Sequence, residues 1–283
     1  MSIRIITESS SDIDQDISKE LNITVLPIQL HIGEKDYQDG IDISKSRFYE
    51  LLIEEDALPK TSQITPFTYE EAIKKEMDDG NEVLIISLAE ELSGCYRNAV
   101  FSSEEYKDKV SVIDSRSATL GQQVLVLRAV QLVKENKSLN EITTILEEEK
   151  KHVHVIALMN TLEYLYKGGR ISKAAYAAGA LLGIKPVITI EEGKINVLGK
   201  ARGSRSGNNM LMKEVEKSGG IDFSRPISLG YSGLSKEKLD KYIKDSSSLY
   251  EGKIDTLPIT QLGPTIGTYA GEGAVCFAWF DLR

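Results

Sequence analysis

The chain has 283 residues, 41% of them hydrophobic and 27% charged, with a formal net charge of −9. That is the composition of a globular protein with a real core, of a length that suggests two domains at roughly 100–200 residues each. The acidic balance argues against a non-specific nucleic-acid binder and against broad attraction to anionic lipid surfaces. No run reaches the ~20 apolar residues of a bilayer span, and "MSIRIITESS" lacks a signal-peptide pattern. Cys95 and Cys276 are far apart in sequence, so a reduced, cytoplasmic setting is the expectation.

In chain order, "IRIIT" reads as a buried strand and "ESSSD" as a turn that caps a helix. "ITVLPIQLHI" is a second apolar run. "EVLIIS" and "KVSVID" are strands, the second followed by a long helical pattern from Leu120 to Glu135. Strands alternating with helices indicate a parallel sheet covered by helices. After the charged helix "SLNEITTILEEEKKH", "HVHVIALM" starts a new strand near residue 153. The expected domains are therefore 1–152, α/β with a parallel sheet, and 153–283, α/β with a mixed sheet. In the second, "PVITIEEGKINVLGKAR" has the pattern of a hairpin and a helix is expected from Ser204 to Ser218. "PISLGYS", "KIDTLPI" and "GAVCFAWF" read as strands.

Ligands of open parallel sheets bind beyond the carboxyl ends of the strands. Three such ends carry hydroxyls, at Ser9–Asp12, Ser87–Gly94 and Asp114–Ala118, and a fourth polar segment spans Pro59–Pro66. Hydroxyls and helix N-terminal N–H groups suit a single anionic head group, although each serine alone also reads as a helix cap. Walker A, dinucleotide and G-x-S-x-G patterns are absent. His31, His152 and His154 come without the further ligands a metal site requires, so no metal is expected. Positive charge gathers in "KGGR" (Lys167, Arg170) and "GKARGSR" (Lys200, Arg202, Arg205), beside glycines that let a ligand approach the backbone. By spacing alone these are also ordinary solvated turns.

"IITESSSDI" (5–13), "LPKTSQITP" (58–66), "VLIISLAEELSGCYRNA" (83–99), "VIDSRSATLGQ" (112–122), "YLYKGGRIS" (164–172), "LLGIKPVI" (181–188), "GKINVLGKARG" (193–203) and "LGPTIGTYAGEGA" (262–274) occur in this order over essentially the whole chain. Together they resemble the DegV family of bacterial fatty-acid-binding proteins. The resemblance implies two α/β domains with an acyl tunnel at and beyond their interface. It implies one long-chain fatty acid as ligand and no cofactor. It further implies that the protein is no enzyme itself but the carrier subunit of a fatty acid kinase, whose acyl phosphate feeds phospholipid synthesis, with at most transient membrane contact. By their match to the family's motifs, Thr61 and Ser93 would hold the carboxylate, and Arg170 and Arg202 would serve phosphotransfer or kinase docking. Where the family usually has histidine and proline, this chain has Tyr269 and Glu272. The tyrosine hydroxyl can still donate to a carboxylate but carries no positive charge near neutral pH, which bears on phosphotransfer more than on lipid binding. The small apolar stretch "AAYAAGALLG" would form a helix of little bulk that leaves room for the acyl chain. Two other readings of the residues remain: a stand-alone acyl hydrolase using Ser93 or another hydroxyl, which lacks an evident base, and a lipid-sensing interaction module.

Overall fold

The computed structural model describes residues 2–54, 58–179, 183–250 and 252–282. The first half supplies strands β1 (Ile3–Glu8), β2 (Ile23–Leu26), β3 (Gln29–Ile32), β4 (Lys35–Gln38), β5 (Lys60–Ser62), β6 (Glu82–Ser87) and β7 (Val110–Asp114). The second supplies β8 (Val153–Leu158), β9 (Ile184–Glu191), β10 (Lys194–Arg202), β11 (Ser228–Tyr231), β12 (Ile259–Gln261) and β13 (Val275–Phe280). The helices are α1 (Gln15–Glu20), α2 (Lys45–Glu54), α3 (Pro66–Asp78), α4 (Cys95–Ser103), α5 (Thr119–Lys134), α6 (Leu139–Glu149), α7 (Glu163–Lys167), α8 (Lys173–Gly179), α9 (Gly203–Lys217), α10 (Glu237–Asp245) and α11 (Pro264–Ala270).

A wholly parallel sheet in the order β2-β1-β6-β7 forms the N-terminal half. Covered on both faces, its strands are nearly continuous apolar runs, and successive side chains alternate between two cores. Ile5, Leu84 and Ile86 join the core that contains α5 and α6, while Ile6, Val83 and Ile85 face Tyr69 and Ile73 of α3 and Ala99 of α4. A capping box opens α6, with Ser138 and Glu141 bonding each other's backbone.

The C-terminal half is a six-stranded mixed sheet, β10-β9-β8-β13-β11-β12, in which only β11 and β12 pair in parallel. Its two faces also alternate. Ile156, Leu158, Val275, Phe277 and Trp279 point to α9 and α10, and Val155, Ala157, Cys276 and Ala278 point inward to α5. Helix α5 lies between the two sheets and is buried nearly all round. Gly121 makes that approach feasible: a Cβ there would sit 2.2 Å from Val155 Cγ2 on β8 and 2.0 Å from Ser117 Oγ.

Two segments take a form that the sequence pattern does not give. The apolar run "ITVLPIQLHI" is two strands. Pro27 divides it into β2 of the parallel sheet and β3 of a separate antiparallel sheet, β4-β3-β5, which the apolar pattern does not reveal. "KIDTLPI" holds a 3₁₀ turn, Ile254–Thr256, and the strand β12 starts only at Ile259.

Candidate functional site

The carboxyl ends of β1, β6 and β7 converge on a cavity of about 350 Å³ against the inner face of the second sheet. Ser10, Leu88, Ala118 and Thr119 come from the first half, and Val155, Met159, Ile188 and Ile190 from β8, its extension and β9. The volume lies within the roughly 300–1,000 Å³ of small-molecule pockets. Room exists because Ala118, Ala157, Ala270, Ala274 and Cys276 occupy lining positions that would be filled by longer side chains in a closed core. The polar lining is largely spent internally. The hydroxyls of Ser10, Thr119 and Thr265 bond Gln122, Asp12 and Ser9 respectively.

Thr61, Ser93, Arg170 and Tyr269 all line this same cavity, brought together from four parts of the chain. Thr61 stands on β5 opposite Leu30 of β3, and its Oγ1 is 2.7 Å from Tyr269 Oη. Ser93 ends the loop before α4. Its hydroxyl donates to Cys95 Sγ and accepts from Cys95 N–H, both at 3.3 Å. A thiol sulfur is a weak acceptor, so the hydroxyl proton can turn to a stronger one while the backbone donation persists. Arg170 donates to the carbonyls of Leu92 (3.2 Å) and Gly168 (2.7 Å), which ties the "KGGR" turn to the loop carrying Ser93. Its guanidinium lies 4.6 Å over the Tyr269 ring, a cation–π contact. Gly168 permits this stack: a Cβ would come within 2.6 Å of the ring.

Tyr269 is placed by α11, and α11 is held by two buried carboxylates from the other half of the chain. Asp12 Oδ1 accepts from Gly263 N–H at 2.6 Å, and Asp39 Oδ2 accepts from Thr265 N–H at 3.0 Å. These are the free donors of a helix start. Asp12 also accepts from the Thr119 hydroxyl at 2.6 Å, which links the latch to α5. Burial pushes the Asp12 carboxyl up to about 7 and raises Asp39 as well, despite nearby Lys45. Lys45 itself bonds Asp14 and the Gln261 carbonyl. Beneath lies a third buried acid, Glu8, which accepts from Tyr69 Oη, Leu88 N–H and Gln122 Nε2. Burial raises its carboxyl too.

The serines after β1 are therefore braces of this network, and Ser10 also borders the cavity. Ser9 accepts from Ile28 N–H, Ser10 donates to Gln122, and Ser11 donates to the Glu8 carbonyl. Sequence reasoning passed over Asp12, Asp39 and Glu8 as site-building residues. For Glu8 the available signal was an acid at the end of an apolar strand; Asp12, behind three serines, and Asp39, behind the polar strand Lys35–Gln38, carry no such signal. Arg202 is exposed at the start of α9 and does not line the cavity. Of the small apolar stretch, Ala180–Leu182 lie outside the described residues. Before them, Ala175 and Tyr176 of α8 pack on the core, with Tyr176 stacked on Tyr166. His152 and His154 both bond Asp281. Among the described residues no cluster of His, Cys, Asp or Glu is placed to hold a metal ion, and no helix is long and apolar enough to cross a membrane.

Fold and cavity define a two-domain α/β protein with an internal apolar pocket whose mouth carries hydroxyls and one guanidinium. The chain belongs to the DegV family: the family profile, "Uncharacterised protein, DegV family", matches residues 2–282. A DegV domain-containing protein of Caldanaerobacter subterraneus is 35% identical over 273 residues, 96% of each chain. A DegV family protein of Thermus thermophilus whose structure is described for fatty acid binding is 28% identical, with all of both chains covered and a TM-score of 0.89. A fatty-acid-binding DegV protein of Streptococcus agalactiae is 27% identical, again over both whole chains, with a TM-score of 0.87. A stearic-acid-binding protein of Eubacterium ventriosum is 25% identical over 99% of this chain and 98% of its own, with a TM-score of 0.85.

Proposed function

We propose that this chain binds one long-chain fatty acid and presents its carboxylate to a separate fatty acid kinase in the cytoplasm. The observation that carries the reading is the division of the cavity: an apolar interior and, at one end, Thr61, Ser93, Arg170 and Tyr269 side by side. The solved relatives described as fatty-acid-binding support the same ligand. Burying about 15 methylenes at about 0.8 kcal/mol each supplies roughly 12 kcal/mol of gross driving force before binding costs. The carboxylate leaves water only if donors replace it. The Thr61 and Ser93 hydroxyls each offer one proton, and Tyr269 donates to Thr61 as Thr61 turns its own proton outward. Arg170 uses two of its five N–H donors on carbonyls and keeps charge beside the head group. That charge suits a phosphate arriving on the carboxylate. Exposed Arg202, outside the cavity, suits the kinase surface instead.

The test is to mix the fatty-acid-loaded chain with a purified fatty acid kinase and ATP. Acyl phosphate should form with wild type and be lost in Arg202→Ala, while fatty-acid retention stays at the wild-type level. A wild-type chain that retains fatty acid yet supports no acyl phosphate would remove the kinase half of the proposal. The hydrolase reading finds no support at Ser93, whose hydroxyl partners are both on Cys95.

A further inference from the structure

A chain of buried side chains runs from the cavity to Glu8, and the carrier role as described does not use it. Ser93 borders the cavity, and its hydroxyl meets Cys95 Sγ at 3.3 Å. Cys95, at the start of α4, is fully buried, and its sulfur also meets the Tyr69 hydroxyl of α3. Tyr69 Oη in turn bonds Glu8 Oε1 at the end of β1. The other carboxyl oxygen, Oε2, accepts from Leu88 N–H at 3.0 Å and from Gln122 Nε2 at 2.7 Å. With two N–H donors on Oε2, the place left for an acid proton is Oε1, aimed at Tyr69.

The surroundings of Glu8 favour that proton. It faces Tyr69 from α3, the Cys95 thiol from α4, Gln122 from α5, and the Ser87 hydroxyl and Leu88 N–H at the end of β6. None of these groups carries a positive charge, and burial raises the carboxyl. Burial also lifts the Tyr69 hydroxyl well above its usual range and the Cys95 thiol to about 11, so both interior links keep their protons near neutral pH. Each link then has one proton to give, and the order of donation is set from the Glu8 end. An ionised Glu8 draws the Tyr69 proton to itself, the thiol proton to Tyr69 and the Ser93 proton to Cys95, away from the ligand. A proton on Oε1 reverses the order: Glu8 donates to Tyr69, Tyr69 to Cys95, Cys95 to Ser93 Oγ, and Ser93 into the cavity. The heavy atoms stand at the same places in both orders.

We propose that Glu8, holding a proton on Oε1, is a positioning residue for the head group, turning the Tyr69, Cys95 and Ser93 protons in sequence towards the fatty-acid carboxylate. The inference rests on the fatty-acid reading for its ligand. Glu8 itself never touches the fatty acid, and no proton changes owner.

The plainer alternative is an ionised Glu8 satisfied by three donors, with Cys95 as packing alone. Displacement of a fluorescent fatty acid is measured for wild type, Glu8→Gln, Cys95→Ala, Ser93→Ala and the Cys95→Ala/Ser93→Ala double variant. Cys95→Ala removes the last donor before Ser93, so affinity should fall by roughly two- to twelvefold, and that fall should vanish in the Ser93→Ala background. A thiol that only packs acts the other way: its loss frees the Ser93 hydroxyl, and binding stays level or tightens. Glu8→Gln keeps a donor for Tyr69 and an acceptor for Leu88 and Gln122, so its affinity near neutral pH should stay within about twofold of wild type. Infrared spectra of the same two proteins should show the C=O band of a neutral carboxylic acid in wild type that is lost in Glu8→Gln. Undiminished binding by Cys95→Ala, a loss that persists when Ser93 is alanine, or an unchanged C=O band in Glu8→Gln overturns the proposal while leaving the carrier reading untouched. A wild type that binds no fatty acid would instead sink the carrier reading on which the inference rests.

Discussion

Replacing Tyr269 by phenylalanine isolates one hydroxyl and spares everything else at the mouth. The ring remains, so Arg170 keeps its cation–π seat and Gly168 its neighbour. What is lost is the 2.7 Å bond to Thr61 Oγ1. With a carboxylate bound, Thr61 has a single proton to give, and it goes to the ligand. Tyr269 therefore acts on the ligand through Thr61, as a donor to the donor. A neutral bond of this kind contributes about 0.5–1.5 kcal/mol, so fatty-acid affinity should fall by roughly two- to twelvefold. Thr61→Val removes the direct donor to a charged group, about 1.5–3 kcal/mol, and should weaken binding by roughly 13- to 160-fold. The assay is displacement of a fluorescent fatty acid from wild type and both variants in one buffer. An unchanged Tyr269→Phe would mean that the tyrosine is only an aromatic plug. A Tyr269→Phe loss as large as that of Thr61→Val would mean that its hydroxyl meets the carboxylate directly.

Asp12 gives a pH signature. Its folded pKa of about 7 exceeds the ordinary 3.8, so the native state holds a proton that the unfolded chain gives up. Stability from this group is greatest below about pH 4, declines as pH rises towards 7, and levels off above. Asp12→Asn removes that decline, and its stability relative to wild type should rise by up to about 4 kcal/mol across the interval at 1.36 kcal/mol per pH unit. Urea unfolding at pH 5 and pH 7.5 checks this, and parallel curves for the two proteins would refute it. Ala157→Leu fills part of the cavity from β8 and should shift preference to shorter acyl chains, read by competition between acids of graded length. Gly168→Ala forces the Tyr269 ring aside and should accelerate fatty-acid release, seen as a faster off-rate in stopped flow.

The apolar runs of β1, β6, β7, β8 and β13 were legible because a sheet covered on both faces must be apolar throughout. The convergence of hydroxyl-bearing strand ends was legible for the same reason, since parallel strands place their carboxyl ends on one side. The small sheet was not, because Pro27 sits inside a continuous apolar run and period alone does not say which sheet each half joins. Helix α11 was hidden as well. "PTIGTYA" is short and glycine-interrupted, and it is held by Asp12 and Asp39, more than 220 residues away, through backbone donors that leave no side-chain pattern.

The central claim is that the cavity between the sheets is an acyl site. Native mass spectrometry of the protein as purified, followed by solvent extraction and identification of the released lipid, tests it most directly. The account predicts one long-chain fatty acid per chain, displaced by an added labelled acid. A protein that carries no lipid and takes up none of the labelled acid contradicts it.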